Sequence, residues 1–437
     1  MSKIGIRHED KYLLERRVAL TPEHVQTLIK AHGLEVFVQS SAKRVFKDEE
    51  YQDAGATVVD VFSDEVSTIF GVKEMPIDIM KDNQTLIFFS HTIKGQGYNM
   101  PMLRAMMDKK INLIDYERIS DGTKRLIFFG RFAGIAGAIN SLWSIGMRHH
   151  RKGILTPFYK LRQAHTYSSL PEAIEVINEI SADIKTNGLP EEFSPLVIGI
   201  TGYGNVSKGA QEIIDLLPIK EITPEELLLI DLKSYKNNEI LKVVFKEKDL
   251  SLHQEGKEFD LQDYYKNPHN YFNRFEDYVP KLSMLLNCMY WDPAYPRIVT
   301  KNYLEKHFKE ENPRLEVIGD VTCDPDGSIE CTHTGTPIVN PVYVYNPLNM
   351  NYNYGFDGDG ILIMAVDILP SELPREASKA FGDALLPFVS EIAKADFSES
   401  FEHLKLPDAI KRALILHKGE FTPDYKYMNK YLINTNK

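Results

Sequence analysis

Four ionisable clusters lie at the ends or starts of strand-like runs. Lys73 and Glu74 close TIFGVK, His91 follows TLIFFS, Glu117 follows INLIDY, and Glu15-Arg16-Arg17 precedes VALTP. In an open parallel sheet, ligands bind outside the carboxyl ends of the strands, so such groups can converge on one crevice. The chemistry they suit is definite. A lysine or histidine can carry the proton that accompanies hydride transfer at a carbon bearing oxygen or nitrogen. An arginine can hold a carboxylate through two parallel hydrogen bonds. Together these serve amino-acid or hydroxy-acid dehydrogenation. Taken singly, Lys73–Glu74 also reads as a solvated pair, His91 as a satisfied loop histidine and Arg16–Arg17 as surface charge.

A second constellation supplies the redox partner. The strand-like run 195–201 enters Gly202-Tyr203-Gly204-Asn205-Val206-Ser207-Lys208-Gly209 and then the helical AQEIIDLLP. Glycines between a buried strand and a helix let the backbone approach a pyrophosphate, and the helix N-terminus adds N–H donors. Gly202, Gly204, Asn205, Val206 and Ser207 are the expected contacts, with Ser207 at the usual third small position. An ordinary strand–helix turn is the plainer alternative. The next strand reads as Lys220–Thr223, and its tip, Thr223-Pro224, carries no acid for a ribose hydroxyl. Asp231 lies too far along. That leaves room for a 2′-phosphate and favours NADP(H) over NAD(H).

The elements that must position these groups alternate strand and helix. KIGIR, EVFVQ, TIFGVK, TLIFFS and INLIDYE read as strands, and TPEHVQTLIKAHG as a helix started by Thr21-Pro22 and stopped by Gly33. Such alternation implies βαβ units and a parallel sheet. A second α/β pattern starts at PLVIGITGYG. Residues 232–280, rich in charge and aromatics, read as an insertion. YNPLNMNYNYGFDGDG reads as loop, and REASKAFGDALLPFVSEIAKA as a helix. The length of 437 residues points to two or three domains, and 43% hydrophobic residues can bury a large core without disulfides.

Composition removes several classes. A formal charge of −11 argues against nucleic-acid binding, which needs a basic face. Cys288, Cys323 and Cys331 are few and odd in number, as in a reducing compartment. Cys331 and His333, with Cys323 nearby, have metal-ligand types, but no second cluster completes them, so no metal is expected. The longest apolar stretch, Phe132–Met147, falls short of the ~20 residues that span a bilayer, so no membrane contact is expected. Its small residues suggest a buried helix under close packing. With no visible targeting segment, the expected location is cytoplasmic.

ERRVALTP, GVKEMP, LIFFSHT, LIDYE and GRFAGIAGA together resemble the alanine dehydrogenase/transhydrogenase N-terminal superfamily. TGYGNVSKGAQ, LLNCMYW, GSIE and GDGILIMAVDILPSELPREAS narrow the resemblance to the lysine–2-oxoglutarate reductase (saccharopine dehydrogenase, lysine-forming) half of aminoadipic semialdehyde synthase. The saccharopine-oxidising half of that bifunctional enzyme is missing, so a single activity is expected.

The resemblance implies an α/β chain with two Rossmann-like parallel-sheet domains and a cleft between them. The substrate domain is discontinuous, 1–138 plus 375–437, around a dinucleotide-binding domain, 139–374. It implies that L-lysine and 2-oxoglutarate are joined and reduced to saccharopine with NADPH. Lys73 and His91 match the catalytic acid–base pair, Arg17 a carboxylate-binding arginine, Glu117 an acid that tunes the site and Asp320 an aspartate near the substrate. Saccharopine has three carboxylates, so Arg16 and Arg131 join Arg17 in the expected basic pocket. Two alternatives remain: another amino-acid dehydrogenase of the superfamily, or a non-catalytic dinucleotide-binding module. Assembly into a homo-oligomer stays open.

Overall fold

The computed structural model describes residues 2–309 and 313–433. The chain divides into two units, residues 2–129 with 374–433 and residues 130–373 within that description, and each contains its own eight-stranded sheet.

In the first unit the sheet runs Glu420–Phe421, Leu414–His417, Asn112–Asp115, Thr85–Phe88, Thr68–Phe70, Lys3–Ile6, Glu35–Gln39, Thr57–Val59. The last six of these pair in parallel. Chain order reverses between Lys3–Ile6 and Thr68–Phe70, which is the topological switch point of a doubly wound sheet. Neighbouring strand residues alternate faces. Phe70, Ile87 and Ile114 enter one apolar cluster, and Ile69, Leu86 and Leu113 enter another. Burial on both faces is what a parallel sheet requires.

Packing explains why residues from 374 onward return to this unit. The helix Pro374–Lys394 lies on the helix Pro22–His32 so closely that a Cβ on Gly382 would meet the His24 ring at 2.3 Å. His24 Nε2 is 3.0 Å from Asp383 Oδ1. Leu414–His417 then pairs antiparallel with Asn112–Asp115 and extends the sheet.

The second sheet runs Asn351–Tyr354, Val342–Asn346, Ile361–Met364, Val317–Asp320, Met284–Asn287, Val197–Thr201, Ile240–Phe245, Ile219–Glu221. Two sequence expectations fail here. Residues 232–280 are not all insertion, because Ile240–Phe245 is an interior strand beside Val197–Thr201. The excursion is confined to the segment around the hairpin Ser251–His253 and Tyr271–Asn273. The stretch expected as loop also carries an antiparallel hairpin, Val342–Asn346 with Asn351–Tyr354.

The strand order also corrects the ribose argument. The strand that follows the glycine loop in sequence, Ile219–Glu221, goes to the sheet edge. The strand beside the glycine-loop strand is Ile240–Phe245, and its tip carries Lys246 and Glu247. An acid is therefore present, and the case for NADP(H) from its absence at Thr223 does not stand.

The Gly/Ala helix, Gly130–Arg151, lies wholly in the second unit. It crosses the helix Asn205–Ile214 with almost no room. A Cβ on Gly134 would lie 1.9 Å from Val206 O, and one on Gly209 2.0 Å from Arg131 O. Among the described residues, no helix is long and apolar enough to cross a membrane.

This crossing makes a stability prediction. Gly209→Ala should lower unfolding free energy by about 1–3 kcal/mol, the usual range for overpacking. Gly204→Ala, whose Cβ would meet nothing within 4 Å, should stay within about 0.5 kcal/mol. Chemical denaturation measures both, and equal midpoints for the two variants would contradict the close crossing.

Candidate active site

Four adjacent strands of the first sheet end on one edge. Lys3–Ile6 leads to Glu9 and Lys11, Thr68–Phe70 to Lys73 and Glu74, Thr85–Phe88 to Ser90 and His91, and Asn112–Asp115 to Glu117. The fold thus brings Lys73, His91 and Glu117 to one edge, flanking the switch point.

Glu74 organises this edge. Its Oε1 accepts from Lys11 Nζ at 2.7 Å, from His91 Nδ1 at 2.8 Å and from Asn99 Nδ2 at 3.4 Å. Burial alone would raise the Glu74 carboxyl, but the hydrogen bonds from His91 and Lys11 hold it well below the usual carboxylate range. A carboxylate on Nδ1 favours the tautomer with the proton there and leaves Nε2 as the acceptor. His91 sits at φ 48, a left-handed conformation that costs a non-glycine residue of order 1–3 kcal/mol. Asn99 Nδ2 secures that turn by donating to Ser90 O at 3.0 Å and His91 O at 3.2 Å.

Lys73 is half-buried, with Nζ 5.5 Å from the Tyr12 ring centroid. Its charge also reaches Glu15, whose carboxyl is lowered, against burial, mainly by Arg17. Arg17 is buried and grips Glu15 with both arms of its fork, Nε to Oε1 at 2.8 Å and Nη2 to Oε2 at 2.6 Å. Its guanidinium stacks 4.2 Å from the Phe129 ring. The bidentate face expected to hold a substrate carboxylate is therefore taken by Glu15. Arg16 is half-buried and makes no ion pair among the described residues.

Two expected substrate contacts take other roles. Arg131 is exposed and forms a bidentate pair with Glu212, Nε–Oε1 2.8 Å and Nη2–Oε2 2.6 Å, across the helix crossing of the second unit. Asp320 is fully buried. It accepts from Asn287 Nδ2 at 2.8 Å, Thr322 Oγ1 at 2.7 Å and Thr332 Oγ1 at 2.6 Å, and burial pushes its carboxyl up. It ties together loops at the carboxyl edge of the second sheet.

Sequence reasoning overlooked Lys11, Asn99 and Arg125. Arg125 lies 5.2 Å from the Phe89 ring and in the field of Glu117 and Asp115. The available signal was the cation of HEDK after the first strand and of TKR before the glycine-rich helix.

The glycine loop fits a pyrophosphate. Gly202 is left-handed at φ 82, and a Cβ there would crowd Cys288 O and Met289 Cα at 3.3 Å. Above Gly204 the space is open. The helix Asn205–Ile214 begins there with no side chain capping its first N–H groups, so they remain available to an anion. Ser207 is buried, and the tight approach expected of the third small residue is made by Gly209. Among the described residues, no group of three or more His, Cys, Asp or Glu could hold a metal ion. Cys331 is buried with its thiol pushed up by desolvation, and His333 stacks on Tyr352 with centroids 4.5 Å apart.

Comparison with known proteins gives a consistent result. Residues 5–136 match the family model described as alanine dehydrogenase/PNT, N-terminal domain, and residues 293–424 its C-terminal domain. The chain is 38% identical to an alpha-aminoadipic semialdehyde synthase of Arabidopsis thaliana over 97% of its own length and 41% of that protein. It is 28% identical to a saccharopine dehydrogenase [NAD(+), L-lysine-forming] of Yarrowia lipolytica, over 90% of this chain and 93% of the other. An L-alanine dehydrogenase structure superposes with a TM-score of 0.62 at 20% identity, covering 98% of this chain and 99% of the other. The chain thus spans less than half the length of the semialdehyde synthases it matches.

The Glu74 cluster predicts an acid sensitivity. A carboxyl lowered in the folded state contributes stability that is present above its ordinary value of 4.5 and is lost as pH falls below it. Wild type should therefore lose roughly 1.5–3 kcal/mol relative to Glu74→Gln on acidification from pH 7 through this range, the size of a charged hydrogen bond. Denaturation midpoints across pH 3–7 measure it, and parallel curves for the two proteins would contradict it.

Proposed function

The chain belongs to the alanine dehydrogenase/PNT family, and from that premise we propose that it condenses L-lysine with 2-oxoglutarate and reduces the imine to saccharopine, with NADPH as reductant. The observation that carries the reading is the edge at which Lys73 and the Glu74-bound His91 follow adjacent strands, with Arg17 joined to it through Glu15 and Arg125 beside Phe89 and Glu117. The reaction needs an acid–base pair and cations for carboxylates in one place.

The ε-amine of lysine adds to the ketone, water leaves, and the imine carbon accepts hydride. NADPH, held by Gly202, Gly204, Asn205, Val206 and Ser207, supplies that hydride. The rest falls to side chains. His91 Nε2 takes the proton released on addition and returns one to the departing hydroxyl. Lys73 holds the second proton position, needed as the amine forms. Two groups are required because addition, dehydration and reduction each move a proton. Arg17, with Arg16 and Arg125, receives carboxylates, and Glu117 moderates the charge of Arg125. Asp320 keeps the second sheet's loops in place. For the 2′-phosphate, support comes from Lys246, exposed and next to the strand end at which Gly202 N donates to Phe245 O at 2.9 Å. The neighbouring Glu247 is engaged by Tyr265 at 2.9 Å and Tyr203 at 3.3 Å.

The expected outcome is oxidation of NADPH only when lysine and 2-oxoglutarate are both present. Lys73→Met and His91→Gln should each lower turnover by roughly 10²–10⁴-fold while NADPH binding survives. Lys246→Ala should weaken NADPH binding and leave NADH binding unchanged. Turnover with pyruvate and ammonia instead would move the chain to alanine-type chemistry. Near-normal turnover of a folded Lys73→Met protein would remove Lys73 from the mechanism.

A further inference from the structure

Lys73 and His91 reach the edge on loops, yet acid–base groups must be held to fractions of an ångström. Beneath them lie two buried carboxylates to which the reaction assigns no step. Glu9, 4% exposed, accepts from two consecutive amides, Val72 N at 2.8 Å and Lys73 N at 2.9 Å. It belongs to the segment after Lys3–Ile6, so these bonds bridge the switch point to the strand that delivers Lys73. Asp115, 0% exposed, makes the corresponding bridge between the next two strands, Thr85–Phe88 and Asn112–Asp115. Its Oδ2 accepts from Ser90 N at 3.1 Å and from the Ser90 hydroxyl, and its Oδ1 accepts from Glu117 N at 2.8 Å. Ser90 immediately precedes the left-handed turn at His91.

We propose that Glu9 and Asp115 are positioning residues that set the backbones of Lys73 and of His91 with Glu117. Each carboxylate turns two separate loop ends into one rigid piece of the sheet edge. An amide in either place has one acceptor oxygen and an NH2 group that opposes the second backbone N–H, so it cannot accept from both backbone donors. Burial makes the arrangement sensitive to charge. Desolvation raises Glu9 against the pull of Arg7, and the same cause raises Asp115 to about 6 against the bonds from Ser90 and Glu117 N. The groups in the field of Glu9 are Arg7, whose Nη1 lies 3.9 Å away, Glu15 and Tyr116. Those in the field of Asp115 are Glu117, Tyr116, Arg118, Arg125 and Tyr425.

The inference rests on the reading of Lys73 and His91 as the acid–base pair, but its primary test needs no turnover. Ring ¹⁵N spectra of His91 report the tautomer fixed by Glu74. In Asp115→Asn the Nδ1-protonated form should give way to a mixture of tautomers, and in Glu9→Gln the His91 signals should stay as in wild type. Both variants should lose about 10²-fold in kcat, the scale of a 1 Å misplacement, with the NADPH dissociation constant unchanged. Ser90→Ala keeps the carboxylate and the bond from Ser90 N, loses the hydroxyl's bonds to Asp115 and to Thr92 Oγ1, and should shift the His91 signals in the same direction by less. Unchanged His91 spectra in Asp115→Asn and Ser90→Ala would overturn the proposal, as would normal kcat in folded Glu9→Gln. Absence of lysine-dependent turnover in wild type, with the His91 shifts as expected, would overturn the proposed reaction and leave the positioning role standing.

Discussion

A single buried carboxylate oxygen, Glu74 Oε1, sets the electrostatics of the first sheet's edge. Taking a carboxylate out of water costs several kcal/mol unless hydrogen-bond donors replace the lost hydration. Lys11, His91 and Asn99 are those donors, and they come from three different segments. The consequence is directional. Once Nδ1 of His91 is committed to Glu74, only Nε2 can meet a reactant. The neighbouring Arg17–Glu15 pair works in the opposite sense, since it spends a guanidinium fork on a partner within the chain.

Both units use one topological device for different ends. Each has six parallel strands, and in each the functional groups cluster where chain order reverses. In the first unit the switch point lies between Lys3–Ile6 and Thr68–Phe70 and carries acids, a lysine and a histidine. In the second it lies between Val197–Thr201 and Met284–Asn287 and carries glycines. The difference follows from what each edge must approach. Glycines admit a pyrophosphate to the backbone. Ionisable side chains suit a small polar reactant instead.

Local pattern was enough for much of this. A buried strand, a glycine turn and a helix are contiguous, so the loop at Gly202–Ser207 could be read directly. The end-of-strand positions of Lys73, His91 and Glu117 were likewise visible, because strands betray themselves by apolar runs and the next residues stand at their ends. Sheet order was not visible. Nothing in the residues 219–223 says that their strand goes to an edge while Ile240–Phe245 takes the interior place, so the acid at the tip was sought at Thr223 and missed at Glu247. Partner choice was equally hidden. Arg131 and Arg125 are six residues apart and alike in type, yet one is paired with Glu212 and the other faces Phe89 and Glu117. Asp320 entered only through the resemblance, and the local pattern said nothing of the three side-chain donors from its own unit that occupy it.

The most direct measurement of the proposed reaction follows a nitrogen atom. Lysine labelled with ¹⁵N only at the ε position would be incubated with 2-oxoglutarate, NADPH and the protein, and the products weighed by mass spectrometry. Condensation through the side-chain amine predicts saccharopine carrying the label, formed in step with NADPH oxidation. NADPH oxidation that yields glutamate without labelled saccharopine would contradict it, as would no reaction at all with both substrates present.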